Sequence, residues 1–323
     1  MLECLNEWLD HSSIPTFAIP FILEAGVRNG IMPHMSSYAL TDLDQRPDLA
    51  PNVLALFATA AQGSGHVVCG LPARMGLEPI AADLKATLGV LLAMSGRRLA
   101  GALAICPYSE EQVTLWGPII PDQREQPQVM PVLMQELRRA LREGGFASMR
   151  AQIDLRNRTL RAWMMSEGFA PWKDLHCYER DLAPFRSAEI SDVQASARAD
   201  LEDTARILAE CFPDSDHHRP NLVQRENDGY RHYILRHDGK IAGAAAVQGG
   251  GRRSWLKLIG VSKSHRGKHL ARHLLEGVLA SEARLGHHAI GLEVLDDNRA
   301  AVTLYEHSGF QRRWSASLLI APV

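Results

Sequence analysis

Cysteine is scarce in this chain, and what there is lies scattered: Cys4, Cys69, Cys106, Cys177 and Cys211 form no C-x-x-C pair. That spacing argues against a disulfide framework and against a structural zinc site, and it leaves reduced thiols in a cytoplasmic protein as the plain expectation. Long apolar runs are also missing. No stretch approaches the ~20 residues that cross a bilayer. Residues 14–23 are apolar but few, include Pro15 and Pro20, and follow acidic rather than basic residues, which is not a signal-peptide pattern. Neither sign of charge is in excess: 35 basic and 37 acidic residues give a formal net charge of −2. A protein that coats nucleic acid carries a basic surplus, so neither nucleic acid nor membrane is an expected partner.

What is present is enough apolar residue for two ordinary cores. The chain has 323 residues, 46% hydrophobic and 22% charged, a length that suits two domains. A self-comparison divides it. Asn157-Arg158 is followed by an apolar-periodic stretch and Gly168-Phe169; Asn298-Arg299 is followed by a similar stretch and Gly309-Phe310. The two copies stand 141 positions apart, and the offset also pairs Gly145 with Gly286, Ile153 with Val294, Leu133 with Leu274 and Ile120 with Val261. Leu99-Ala100-Gly101 pairs with Ile241-Ala242-Gly243 at an offset one residue larger. Two domains of similar fold are expected, 36–184 and 187–323, meeting near Pro184. Residues 1–35 form an N-terminal extension of open status, with Met32 or Met35 as alternative starts.

Each copy reads as mixed α/β. In the second, residues 230–235 and 241–247 are expected strands around the turn His237-Asp238-Gly239-Lys240, and 254–261 another. Leu270, Leu274, Leu275, Val278 and Leu279 recur at helical spacing. Gly286 closes that helix, 289–295 is a buried strand, and Asn298 caps a helix that Gly309 ends. Residues 200–211 form an earlier helix.

Between the strand at 254–261 and the helix from Leu270 runs Ser262-Lys263-Ser264-His265-Arg266-Gly267-Lys268-His269-Leu270-Ala271. A strand that passes through a basic, glycine-containing turn into a helix suits an anion. The first N–H groups of the helix have no internal partner and its dipole favours negative charge. Arg266 and Lys268 add charge-assisted donors, while Gly267 and Ala271 let phosphate oxygens approach. A solvated basic turn is the alternative reading of these residues taken alone.

This segment resembles the acetyl-CoA pyrophosphate motif of the GNAT superfamily, Arg/Gln-x-x-Gly-x-Gly/Ala, with Arg266 at the first position, Ala271 at the last and Leu274-Leu275 following. His269 departs from it, standing where the first glycine belongs. If the backbone there needs positive φ, a histidine costs ~1–2 kcal/mol. The resemblance covers about 135 residues. It implies a mixed, mainly antiparallel sheet with two splayed parallel strands, flanked by helices, in each of two tandem domains. It also implies acetyl-CoA as acyl donor, bound by the backbone at Ile259 and Val261, by Arg266, Gly267, Lys268, His269, Leu270 and Ala271, and by Asn298 and Tyr305.

By the same resemblance Tyr305 protonates the leaving thiolate. The strand at 254–261 has no carboxylate, which leaves Glu293 on the neighbouring strand as the candidate base, or as a solvent-facing side chain. Asp214, Asp216, His217 and His218 border the acceptor pocket in the reading that gives them a role; a plain polar loop is the other reading, and no metal site is expected. The first copy carries Glu125, Gln126, Pro127, Gln128, Val129 and Met130 in place of Arg266–Ala271, and Met164 in place of Tyr305. It is therefore a degenerate copy. The expected activity is direct acetyl transfer to the amine of a small molecule or peptide, with a homodimer left open. A non-catalytic acyl-CoA sensor is the alternative, and a tRNA-dependent aminoacyl transferase is disfavoured by the near-neutral charge.

Overall fold

The structure, a computed structural model, describes residues 38–62, 77–188, 192–213, 217 and 219–323. The expected N-terminal extension lies outside the described residues. Two compact units emerge. One comprises residues 174–315, the other the described residues up to 173 together with 316–323. This differs from the boundary near Pro184 drawn from the sequence, and the reason is a strand. Self-similarity follows chain order, whereas compactness follows pairing, and each unit takes one strand from the other half of the chain.

In the N-terminal unit the order in the sheet is β1 (Ala39–Asp42), β2 (Gly89–Ser95), β3 (Arg98–Pro107), β4 (Gln112–Ile119), β5 (Ser148–Asp154), then the end of the chain, residues 316–322. Helices α1 (Ala50–Gln62) and α2 (Leu77–Lys85) cover one face; α3 (Gln126–Glu143) and α4 (Arg158–Ser166) cover the other. Among the described residues of this unit only β4 and β5 run parallel, pairing from Gln112↔Ser148 to Leu115↔Ala151.

The C-terminal unit repeats this plan. Its first strand in chain order is contributed by β6 (Ala170–Asp181), whose residues 175–181 pair antiparallel with β11 (Ala289–Leu295). The others are β7 (Val193–Ala195), β8 (Tyr230–His237), β9 (Lys240–Gly250) and β10 (Arg253–Val261), and the sheet order is β6-β11-β10-β9-β8-β7. Helices α5 (Leu201–Cys211) and α6 (Arg219–Asn227) pack on one face; α7 (Leu270–Arg284) and α8 (Arg299–His307) pack on the other. The strand β12 (Gln311–Pro322) closes the chain, its residues 311–315 in this unit.

The apolar spacing read from the sequence accounts for these elements. Leu274, Leu275, Val278 and Leu279 are fully buried and form the stripe by which α7 sits on the sheet. Gly277 lies inside that helix because a Cβ there would meet the Val193 side chain at 2.3–2.6 Å. Asn298 caps α8, accepting from the Ala301 N–H at 3.3 Å, and Asn157 caps α4 in the same way from Leu160 at 3.2 Å. The repeat is thus kept at the level of single hydrogen bonds.

Candidate active site

Strands β10 and β11 pair in parallel from Arg253↔Ala289 to Leu256↔Leu292 and then part. β10 stays with β9 as far as Val261, and β11 stays with β6 as far as Leu295. Beyond Leu256 the β11-facing edge of β10 therefore carries backbone groups without a strand partner. Such an edge takes an extended, amide-bearing ligand as an added strand. A bulge at Lys257, where the register with β9 shifts between Leu256 and Leu258, marks the point where the strands separate.

A cavity of about 400 Å³ fills this opening. From β10 it is lined by the run Lys257, Leu258, Ile259, Gly260 and Val261, and from β11 by Glu293 and Val294. Asn298, Leu304 and Tyr305 reach it from the α7/α8 face, and Cys211 and Phe212 from the α5 face. Side chains alternate along a strand. Leu292 and Val294 belong to the core under α7 and α8, so Glu293 points to the other face. The cavity thus passes through the sheet, with Tyr305 on one side and Glu293 on the other.

At one end lies the turn into α7. A short 3-10 turn, Lys263–His265, is braced by the Ser262 hydroxyl at 2.7 Å from His265 Nδ1. Arg266 then runs extended, with its Nε donating to the Val261 carbonyl at 3.3 Å. Gly267 has φ +79° and His269, the cap residue of α7, has φ +59°. No side chain caps the helix. Its first N–H groups, with two left-handed residues just before them, form a concave donor surface for an anion. Arg266, His269, Ala271 and Arg272 line the cavity here.

Charge at the other end is set by burial. Glu293 is half-buried, and desolvation pushes its carboxyl up to about 7, against the opposing pull of Lys257. Tyr305 is 7% exposed and its ring lies 5.6 Å from that of Phe310. Burial raises its phenol well above the ordinary range, so it is protonated at neutral pH.

Comparison with known proteins now bears on this geometry. The family model for Acetyltransferase (GNAT) matches residues 201–310. The N-alpha-acetyltransferase RimI of Mycobacterium tuberculosis is 34% identical over 126 residues, 37% of this chain and 78% of RimI. The chain belongs to the GNAT acetyltransferase family. It is accordingly an N-acetyltransferase, and its acceptor is an amine. A GCN5-related N-acetyltransferase from Sphaerobacter thermophilus superposes on 89% of this chain and 96% of its own with a TM-score of 0.72 at 17% identity. A tandem GNAT protein from the clavulanic acid biosynthesis pathway superposes on 88% of this chain and 98% of its own with a TM-score of 0.62, also at 17% identity. At such identities these two show the fold, a GNAT-like unit repeated within one chain.

The residues singled out in the sequence fall into four groups. Ile259, Val261, Arg266, His269, Ala271, Glu293, Asn298 and Tyr305 all line the one cavity. Gly267 and Lys268 are exposed on the adjoining turn, and Leu270 packs its side chain on the core, leaving only its backbone for a ligand. Asn298 uses its Oδ1 as the helix cap, a function Asn157 performs in the other copy. His217 is buried away from the cavity, its Nδ1 3.1 Å from Arg225 Nη1 and its ring edge-on to Phe212. Asp214, Asp216 and His218 lie outside the described residues. Sequence reading missed Lys257, Arg272, Cys211 and Phe212. Arg272 follows the loop by one residue and was visible in principle, but the bulge that brings Lys257 to the cavity leaves no sequence signal.

In the N-terminal unit the GNAT opening recurs without the loop. Parallel pairing ends at Leu115↔Ala151, the positions 141 before Leu256 and Leu292. Helix α3, however, begins at Gln126, so the positions of Gly267, Lys268 and His269 have become helix, with Pro127 in its first turn. Glu125 stands where Arg266 does and accepts from Tyr38 (3.1 Å) and Arg98 (2.5 Å). A carboxylate held there repels phosphate. Met164, in place of Tyr305, is fully buried.

Proposed function

We propose that the C-terminal unit binds acetyl-CoA in the opening between β10 and β11 and passes its acetyl group directly to an amine on a small molecule or peptide, in the cytoplasm. The observation that carries this is the continuity of one cavity from the uncapped start of α7 to Glu293 and Tyr305. The residues present fit that donor. The N–H groups at Leu270–Arg272, with Arg266 and Arg272, suit the pyrophosphate, and the open edge at Ile259–Val261 suits the amide-bearing arm. Acetyl-CoA supplies an activated acyl carbon on a thioester.

The chain's own groups handle two protons. Glu293, ionised above about pH 7, takes the proton that the incoming ammonium must lose before its nitrogen can attack. The C–N bond forms as the C–S bond breaks, and the Tyr305 hydroxyl gives its proton to the departing sulfur. The desolvated phenol remains protonated until that moment. The second proton lost by the new amide nitrogen returns the phenolate to phenol, so that the one net proton is the one Glu293 passes to solvent. The likeness to RimI favours an α-amine at a peptide N-terminus among the acceptors.

The test is release of free CoA thiol from acetyl-CoA with a panel of peptide and small-molecule amines. Turnover is expected, and Tyr305→Phe is expected to slow it ~10²-fold or more. Binding of acetyl-CoA without turnover on any amine would replace this reading by that of a sensor.

A further inference from the structure

Glu293 meets its opposite charge at one place in the cavity, and that place is structurally defined. Leu256↔Leu292 is the last pair before the strands part. Lys257 and Glu293 are the next residue on each strand, so they stand on either side of the mouth of the opening, and both line it. Lys257 is the bulged residue, and a bulge re-aims one side chain at the cost of one pair.

The other copy provides a natural comparison. The positions 141 earlier are Trp116 and Gln152, buried at 5% and 2% exposure. Trp116 packs edge-on to Phe57 at 4.7 Å. The copy that has lost the phosphate loop and the tyrosine has therefore also replaced both members of this charge pair with neutral side chains. One copy of this chain carries both the cation and the carboxylate, and the other carries neither.

We propose that Lys257 is a positioning residue for acetyl transfer, its ammonium across the mouth of the opening keeping the Glu293 carboxylate ionised so that it can accept the amine's proton. This rests on the reading of Glu293 as the base. Of the other titratable groups on the cavity, Arg266 and Arg272 stand at the turn into α7, at its other end, and Cys211 on α5 is a thiol that burial pushes up. Cys177 is the register partner of Glu293 on β6, and burial pushes that thiol far up. Glu179, the next residue on that face of β6, is a carboxyl engaged with Arg313 at 2.9 Å and Arg253 at 3.3 Å. Tyr305, on the far side, is neutral. Removing Lys257 leaves burial unopposed, and a neighbouring unit charge in a half-buried site shifts a carboxylate by about 1 pH unit or more.

The direct test titrates the side-chain carboxyl of Glu293 by carbon NMR in the full-length protein, the signal being assigned by its loss in Glu293→Gln. Lys257→Met is expected to move the midpoint up by about 1 pH unit or more, and Lys257→Arg to return it. The acid limb of kcat/KM, measured with whichever peptide amine the panel selects, should move with it. A midpoint unchanged in Lys257→Met, or in Lys257→Gln if the first variant does not fold, overturns the proposal. An acid limb that survives in Glu293→Gln instead removes Glu293 as the base, a failure of the functional reading that the NMR midpoint does not share.

Discussion

At the scale of the residue, His269 and Glu293 each hold a conformation or a charge that the fold disfavours. His269 has φ +59° at the first turn of α7, a region that costs a non-glycine residue ~1–2 kcal/mol and that histidine tolerates better than most. His269→Gly should therefore raise stability by about 1 kcal/mol in denaturant unfolding while keeping the loop's shape. Glu293 has a folded-state value near 7, above its unfolded value, because burial disfavours its charge. Between about pH 4.5 and 7 the folded state holds more protons than the unfolded one, so this group's effect lowers stability as pH rises. Glu293→Gln should accordingly melt above the parent at pH 8, with the gain vanishing at pH 4 in calorimetric scans. The positions of these residues were legible in the sequence, since motif and offset are both local. Glu293's environment was not: whether a strand residue faces water or a cavity depends on where two strands part, and that is set by a bulge.

At the scale of the element, the site depends on how α7 is held. Glu282 on α7 is fully buried and accepts from Arg231 Nε at 2.9 Å, Arg231 Nη2 at 2.7 Å and the Tyr233 hydroxyl at 2.6 Å, tying the helix to β8. Its value as an anchor lies in the penalty for breaking it. Glu282→Ala strands a half-buried guanidinium and should cost about 3 kcal/mol or more, measured by urea unfolding. The helix itself was legible from its apolar stripe, as were β11 and both asparagine caps. The anchor was not, because Glu282 stands 51 residues from Arg231 and 49 from Tyr233 and meets them only in the folded structure.

At the scale of the whole molecule, the repeat predicts two similar units, but the units are not the two halves of the chain. Each unit is completed by a strand from the other half: residues 175–181 pair with β11, and residues 316–322 pair with β5. The registers match, since Ala289↔Asp181 and Ser148↔Pro322 are related by the same 141-residue offset. A fragment of residues 187–323 therefore lacks the partner of β11 and is expected to be less soluble and less protected from amide exchange than residues 174–315. Equal behaviour of the two fragments would contradict the assignment of that strand. Sequence periodicity does not report which of two equivalent strands a sheet accepts, so this exchange was invisible before the structure. The asymmetry between the units is tested most directly by titration calorimetry with acetyl-CoA. One equivalent per chain is expected, lost in Arg266→Glu, which installs at this loop the residue that the other copy carries as Glu125; two equivalents, none, or binding unchanged by Arg266→Glu would contradict it.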